Sequence, residues 1–412
     1  MKINPISAWC LYDVGNSAFA TTIMAVIYPV YFHSFVASTI SPSNATAFWG
    51  YGSSIGILLG ALIAPFLGTL VDMKGIRKKL LAYFTLLGAF SAMAMATVGK
   101  GDWLIAITLL VIGSVGFSGS AICYDSLLPH IAPPDKLDNV STKGYALGYL
   151  GGGSLLAINL ITMIAIPGER GVQLSFLSVG IWWIFFTLPV LISVPEPPSE
   201  RIVSRATPTE VFKSLKKTFR EIRKYRDAFT FLIAFWLYND GIGTVIRMAA
   251  IFGAQVGIDQ KNLVSALLVT QFVGIPFSFL FGKIAGIFGS KKALYGALVW
   301  YVAIAVGAFW METRIHFWIL AIAVGMVQGG AQAISRSIYA SMLPVDRSGE
   351  FFGFYDVSSK FAGIAGPALF GIITQITGNP RLAVLAITST FIAGLILLSK
   401  VDVERGRKRK YN

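Results

Sequence analysis

Apolar stretches long enough to cross a lipid bilayer follow one another along almost the whole sequence. They fall near residues 8–33, 46–71, 80–99, 103–128, 144–166 and 173–194, and, after a polar interval, near 229–254, 263–288, 293–311, 316–343, 351–377 and 381–399. A helix of about 20 mostly apolar residues spans the hydrocarbon of a bilayer. Charge is correspondingly scarce: 13% of the 412 residues are Asp, Glu, Lys or Arg, about half of what a soluble domain carries. A soluble core of this size could not hide the 55% that is apolar, because buried fraction rises too slowly with length. The sequence therefore reads as an all-α integral membrane protein of twelve transmembrane helices. Its 42 glycines suit close helix approach in lipid.

The net charge of +14 does not point to nucleic acid, because the basic residues sit in short connections between spans. One set of connections carries Lys74, Arg77, Lys78, Lys79, Lys136, Lys291, Lys292 and Arg347, followed by a tail with Arg405, Arg407, Lys408, Arg409 and Lys410. The alternate set carries only Lys100, Arg170, Lys261, Arg314 and Arg381. Positive connections stay inside, so both termini are expected in the cytoplasm. Cys10 and Cys123 fall within spans, with no disulfide or metal spacing. The first stretch is too long for a signal-peptide core and is read as a retained helix.

The longest polar segment opens with Pro195, Pro197 and Pro198. Val211, Phe212, Leu215, Phe219 and Ile222 then recur at helical spacing among seven basic residues, the pattern of an amphipathic helix on the anionic inner leaflet. This divides the chain into a six-helix unit at 1–194, a linker at 195–228 and a second six-helix unit with a basic tail at 229–412. The units resemble each other. Gly68, Asp72 and Gly75 align with Gly282, Gly286 and Gly289 at an offset of 214. Tyr124-Asp-Ser-Leu-Leu-Pro129 aligns with Tyr339-Ala-Ser-Met-Leu-Pro344 at 215, and Leu11-Tyr12-Asp13 with Leu237-Tyr238-Asn239 at 226. Three matches joining equivalent spans indicate a parallel repeat of six plus six, one transporter plan.

Gly68, Asp72 and Gly75 before a basic cluster resemble the loop motif of the major facilitator superfamily. Two departures stand out: Ile76 occupies the usual place of the first Arg, and Gly286 replaces the Asp in the second copy. The glycines permit a tight turn, and an Asp favours a neighbouring helix N-terminus. Asp72 is expected at the start of span eleven and Arg77 opposite Asp125, with Gly68, Asp72, Gly75, Arg77 and Asp125 forming a cytoplasmic gate. More closely, Trp9-Cys-Leu-Tyr-Asp13-Val-Gly-Asn16, Tyr238-Asn239-Asp240-Gly241, and Phe351-Phe-Gly-Phe-Tyr355 with Lys360 and Gly366-Pro367 resemble the vacuole-effluxer branch of that superfamily. That resemblance implies two pseudo-symmetric bundles and, by analogy with fungal amino-acid exporters, a small polar or zwitterionic solute as cargo, an amino acid or short peptide being favoured; the chain is expected to act as a monomer. The compact loops point to a bacterial inner membrane.

An ionisable residue at mid-bilayer costs about 2.5–3.5 kcal/mol on insertion scales, so each needs a partner or a wet cavity. In the fold this chain resembles, spans one, four, seven and ten line the cavity. Asp13, Asn16 and Ser17 share one face of span one. Asp240, Thr244 and Arg247 do so on span seven, and Gln328, Gln332 and Arg336 on span ten. Adding Tyr12, Tyr238, Asn239 and Lys360 gives the expected substrate contacts. Arg suits a carboxylate, while Asp13 and Asp240 suit an ammonium group or proton coupling, so both signs in one cavity suit a zwitterion. No phosphate-loop sequence is present, and three scattered histidines offer no catalytic set. The leading reading is a secondary transporter without cofactor, not an enzyme. A drug or organic-cation exporter is the alternative, and a transport-incompetent receptor a more distant one.

Overall fold

The computed structural model of the chain describes residues 3–40, 42–197, 222–223, 225–255, 258, 260–377 and 379–409; the side chains of some helical residues, His33, Arg247 and Asp356 among them, also lie outside the described set. Twelve long helices occur in it, and no strand among the described residues. They are α1 Pro5–Tyr31, α2 Pro42–Lys74, α3 Arg77–Ala94, α4 Trp103–Ile131, α5 Leu137–Ala165, α6 Glu169–Ser193, α7 Arg226–Gln255, α8 Gln260–Phe288, α9 Ser290–Phe309, α10 Arg314–Ser341, α11 Ser348–Thr377 and α12 Pro380–Ser399, followed by the short tail helix α13 Val403–Arg409. Eleven contain segments apolar enough to cross a bilayer. The twelfth, α11, has 30 residues, with Glu350, Asp356 and Lys360 in its first half. An even number of crossings puts both chain ends at one end of the bundle, here called the terminal face. Of the segment expected as an amphipathic helix, Val211, Phe212, Leu215 and Phe219 lie outside the described residues, while Ile222 is buried and Arg223 exposed.

Several helices run further than the hydropathy pattern indicates. α5 begins at Leu137 rather than 144, α6 at Glu169 rather than 173, and α11 at Ser348 rather than 351. Hydropathy marks the part solvated by lipid, whereas the backbone ladder continues into polar residues beyond it. α1 departs more strongly. It is α-helical to Ala18, π-helical from Phe19 to Val26, and α-helical again to Tyr31. Pro29 lacks an N–H to donate, and Thr21 Oγ1 donates to Ser17 O at 3.0 Å and reaches Gly152 O on α5 at 3.4 Å.

The repeat is legible in the packing. α1 packs on α5 and α6, α2 on α4, and α3 on α4 and α6; stepping every number by six gives α7 on α11 and α12, α8 on α10, and α9 on α10 and α12, all observed. Between bundles α2 meets α11 and α5 meets α8, a pair that the same step exchanges. Side chains keep the register. A Cβ on Gly144 of α5 would lie 2.5 Å from Asp13 Oδ2, and at the equivalent place Asn239 Nδ2 donates to Ser359 Oγ at 3.2 Å. One residue on, Val14 fills the notch of Gly151, where a Cβ would lie 2.5 Å from Val14 Cγ1. Its equivalent, Asp240, accepts from the Gly366 N–H at 2.9 Å. Asn239, not Asp240, is thus the counterpart of Asp13.

The bundles also exchange side chains through equivalent glycines. Lys360 of α11 lies over Gly60 of α2, its Cε 2.7 Å from where a Cβ would stand, with Ser118 of α4 beside it. Tyr149 of α5 lies in the notch of Gly274 and Gly329 on α8 and α10, 3.1 and 2.5 Å from the corresponding Cβ positions. Any larger residue at Gly329 would displace this ring, because protein interiors leave few voids.

Candidate functional site at the bundle interface

Near the terminal face, α10 delivers Arg336 into the first bundle. The residue sits five positions before the end of α10, at Ser341, hence about 8 Å deep at 1.5 Å per residue. Its Nε donates to Ser141 Oγ at 2.8 Å, one terminal nitrogen to Ser141 O at 3.0 Å and the other to Asp125 Oδ1 at 3.0 Å. Asp13 Oδ2 lies 3.7 Å away. The guanidinium carbon stands 4.6 Å from the Tyr145 ring centre, 4.8 Å from that of Trp9 and 5.7 Å from that of Tyr124. Arg336 is only 4% exposed.

The cradle is itself held rigidly. Trp9 and Tyr124 stack with centroids 4.3 Å apart, and Trp9 Nε1 donates to Tyr124 O at 2.9 Å. Tyr12 flanks Tyr124, its own hydroxyl 3.5 Å from Thr85 Oγ1. Tyr124 donates to Asp13 Oδ2 at 2.7 Å, a contact within the first bundle that orients Asp13 toward Arg336. Ser141 Oγ donates to Ala333 O at 2.8 Å while accepting from Arg336. Two carboxylates thus face one guanidinium. Such clusters are retained in low-dielectric surroundings only when their hydrogen bonds are nearly complete.

Further contacts seal the same end. Asp72 pairs with Arg77 and accepts from the Gly349 N–H at 3.0 Å, one of the orphan donors in the first turn of α11. Gly349 is required by this approach, since a Cβ there would lie 2.6 Å from Gly68 O. Gly75, at φ 58°, makes the turn into α3, and Glu196 caps that helix by accepting from the N–H groups of Arg77 and Lys78 at 2.6 and 3.0 Å. His130 Nε2 lies 3.2 Å from Ser348 Oγ, which donates to Ser126 O at 2.9 Å. In the second repeat, where Gly286 has nothing within 4 Å of its Cβ position, the acid is supplied by the partner helix instead. Asp138 in the first turn of α5 accepts from Ser290 of α9 and Ser337 of α10.

These positions sort the residues expected from sequence. Asp13, Asp125 and Arg336 converge. Asp125 pairs with Arg336 rather than Arg77, whose partner is Asp72; the expected Asp125–Arg77 bridge is replaced because Asp72, in the turn before Arg77, reaches it first. Arg336 is fully engaged and offers no free fork to a substrate carboxylate in this state. Asp240 stands apart, within the second bundle against α11. The Thr244 hydroxyl donates to the Asp240 backbone carbonyl at 2.7 Å. Tyr238 pairs with Ser335 at 2.7 Å. Asn16 is buried with Ser17 Oγ 3.5 Å from its Oδ1. Gln332 and Gln328 follow Arg336 one and two turns toward the opposite end of α10, both half-buried, as is Lys360. The Arg247 side chain lies outside the described residues. Sequence reasoning missed Trp9, Tyr145, Ser141 and Asp138. Ser141 and Tyr145 form an i, i+4 pair on α5, which is not among the expected cavity helices.

Twelve helices in two exchanged sets of six, joined at one end by a buried cluster between α1, α4, α5 and α10, define a transporter of the major facilitator superfamily. Solved structures share this fold at low identity: the human organic anion transporter MFSD10 (TM-score 0.76, 12% identity, covering 96% of this chain and 99% of that one) and the proton:xylose symporter XylE (0.74, 14%, 96% and 95%). FucP, solved in an outward conformation, is similar at a TM-score of 0.71, with 13% identity and 97% and 99% coverage. The family described as "Vacuole effluxer Atg22 like" matches residues 33–411, and the chain belongs to it. The MFS-type transporter YxiO of Bacillus subtilis is 36% identical over 409 residues, covering 97% of this chain and 95% of that protein. Autophagy-related protein 22 of Saccharomyces cerevisiae is 25% identical over 427 residues, covering 89% and 80%.

Proposed function

We propose that this protein is a secondary transporter that moves a small polar or zwitterionic solute, an amino acid or short peptide being favoured, by alternating access. The observation that carries the reading is the clustering of cross-bundle polar contacts at one end: Arg336 in its cradle, Asp72 on Gly349, and Asp138 on Ser337. Bundles fastened at one end by exchangeable ion pairs and hydrogen bonds can rock apart there only when something replaces those contacts. The solute route then runs along α1, α7, α10 and α11, past Asn16, Asn239, Gln332, Gln328 and Lys360.

The excess of Lys and Arg at the terminal face makes that face cytoplasmic, so the conformation described is closed to the cytoplasm. The short loops and the bacterial relative favour an inner membrane with anionic inner-leaflet lipids against the basic connections, and the chain acts as a monomer. Two carboxylates against one guanidinium also make Asp13 the favoured site for a coupling proton. Purified protein in proteoliposomes, offered labelled amino acids with and without a pH gradient, tests the reading. Saturable, temperature-dependent uptake supports it, and leakage identical to protein-free vesicles for every solute removes it.

A further inference from the structure

All the groups that hold the Arg336 side chain come from the first bundle: Trp9 and Asp13 from α1, Tyr124 and Asp125 from α4, and Ser141 and Tyr145 from α5. α10, which carries the guanidinium, belongs to the second bundle. The Trp9, Asp13 and Tyr124 side of the cradle is therefore held by contacts that do not involve Arg336: the Trp9–Tyr124 stack, the Tyr124–Asp13 hydrogen bond and the Trp9–Tyr124 backbone bond. The equivalent position in the first repeat is Ala121, and the equivalent of Asp125 is Ala340. The pairing of Arg336 with Asp125 is thus a one-way feature added to a symmetric scaffold. A packing contact alone would need neither charge.

Two carboxylates, a backbone carbonyl and three aromatic faces around one planar cation make up a chemically selective receptor. Carboxylates and carbonyls accept from the edge of a guanidinium, and aromatic faces attract its charge. We infer that this cradle is a binding site for a cationic group of a solute that has no carboxylate beside it, a guanidinium or a primary ammonium at the far end of a chain, and that Arg336 occupies it as a tethered competitor while the terminal face is closed. When the bundles part at this end, Arg336 leaves with α10. Asp13 and Asp125 then stay behind on the first bundle, and a cationic solute group entering the vacated cradle satisfies them. A ligand shifts such an equilibrium only by binding one state better than the other, and competition for a single seat supplies that difference. Asp125, with 20% of its side chain exposed against 12% for Asp13, is the edge by which a solute enters. The inference rests on the transporter reading and narrows its substrate class to basic amino acids or their decarboxylated amines.

Arg336→Ala empties the seat and provides the test. Agmatine and leucine serve as probes, with binding to the full chain in detergent read by calorimetry and by thermal shift. Agmatine should bind Arg336→Ala at least about tenfold tighter than wild type, a difference of about 1.4 kcal/mol, and raise its melting temperature. Adding Asp13→Asn and Asp125→Asn should abolish that gain. Leucine should bind the variant no better than wild type. Equal agmatine affinity in Arg336→Ala and wild type, or a gain that survives loss of both carboxylates, overturns the inference. Arg336→Gln, which keeps a polar side chain over the rings, is the second variant should Arg336→Ala fail to fold; it should show the same order of effects. Flux separates the two ideas. Leucine uptake without any agmatine binding leaves the transporter standing and removes the cradle, whereas agmatine binding without flux of any solute does the reverse.

Discussion

Removing the Arg336 charge should open the terminal face, and the size of the effect follows from its partners. Arg336→Gln removes the guanidinium that stands 3.7 Å from Asp13 and 3.0 Å from Asp125 in the closed state. Breaking a buried ion pair costs about 3–5 kcal/mol, mostly as the penalty of an uncompensated charge. Asp125 is partly exposed, which favours the lower end, about 3 kcal/mol. The open state has already given up this pairing, so the loss falls almost wholly on the closed one. At 1.4 kcal/mol per factor of ten, the closed-to-open ratio should fall by roughly a hundredfold. Spin labels at Lys136→Cys and Lys292→Cys, on a background with Cys10 and Cys123 replaced by Ala, report the distance between the bundles at this face. Wild type should give a dominant short distance and Arg336→Gln a dominant long one. Identical distributions would show that the cluster does not hold the bundles together.

Further outcomes follow from single contacts. Gly349→Ala should weaken closure by about 1–3 kcal/mol through overpacking against Gly68 O and Asp72, read as a longer distance in the same spin-label pair. Glu196→Gln should lower the melting temperature by removing a charged cap worth about 1 kcal/mol from the start of α3, while leaving Arg336 seated. Asp227→Ala should free the tail: Asp227 accepts from Arg405 at 2.7 and 2.8 Å and from the Asp402 N–H at 3.0 Å, which also raises the Arg405 pKa, so limited trypsin should cleave after Arg405 several-fold faster.

Much of this architecture is readable from hydropathy and repeats because lipid allows a helix few compromises. Twelve runs and three matched segments mark the twelve long helices among the described residues, though not the tail helix α13. Asp72 at the start of α11 was also legible, through the loop motif it resembles and the preference of an acid for a helix N-terminus. The cradle was less so. Asp13 and Arg336 stand on separate stripes, and nothing in their spacing says that α10 crosses toward α1, α4 and α5. The repeat alignment already pairs Asp13 with Asn239, but it does not say where Asp240 points: a single step turns a side chain by about 100° on a helix, and Asp240 meets the Gly366 N–H on α11. Asp138 escaped notice because its role depends on Gly286 leaving the equivalent position without an acid.

The decisive measurement is flux through a protein whose terminal face can be locked. Asp138→Cys with Ser337→Cys places two thiols where a side-chain contact joins the bundles, again with Cys10 and Cys123 replaced by Ala. In proteoliposomes, oxidation to completion should stop uptake of labelled amino acids and reduction should restore it. Undiminished uptake through the fully cross-linked protein would contradict opening at this face as a step of transport.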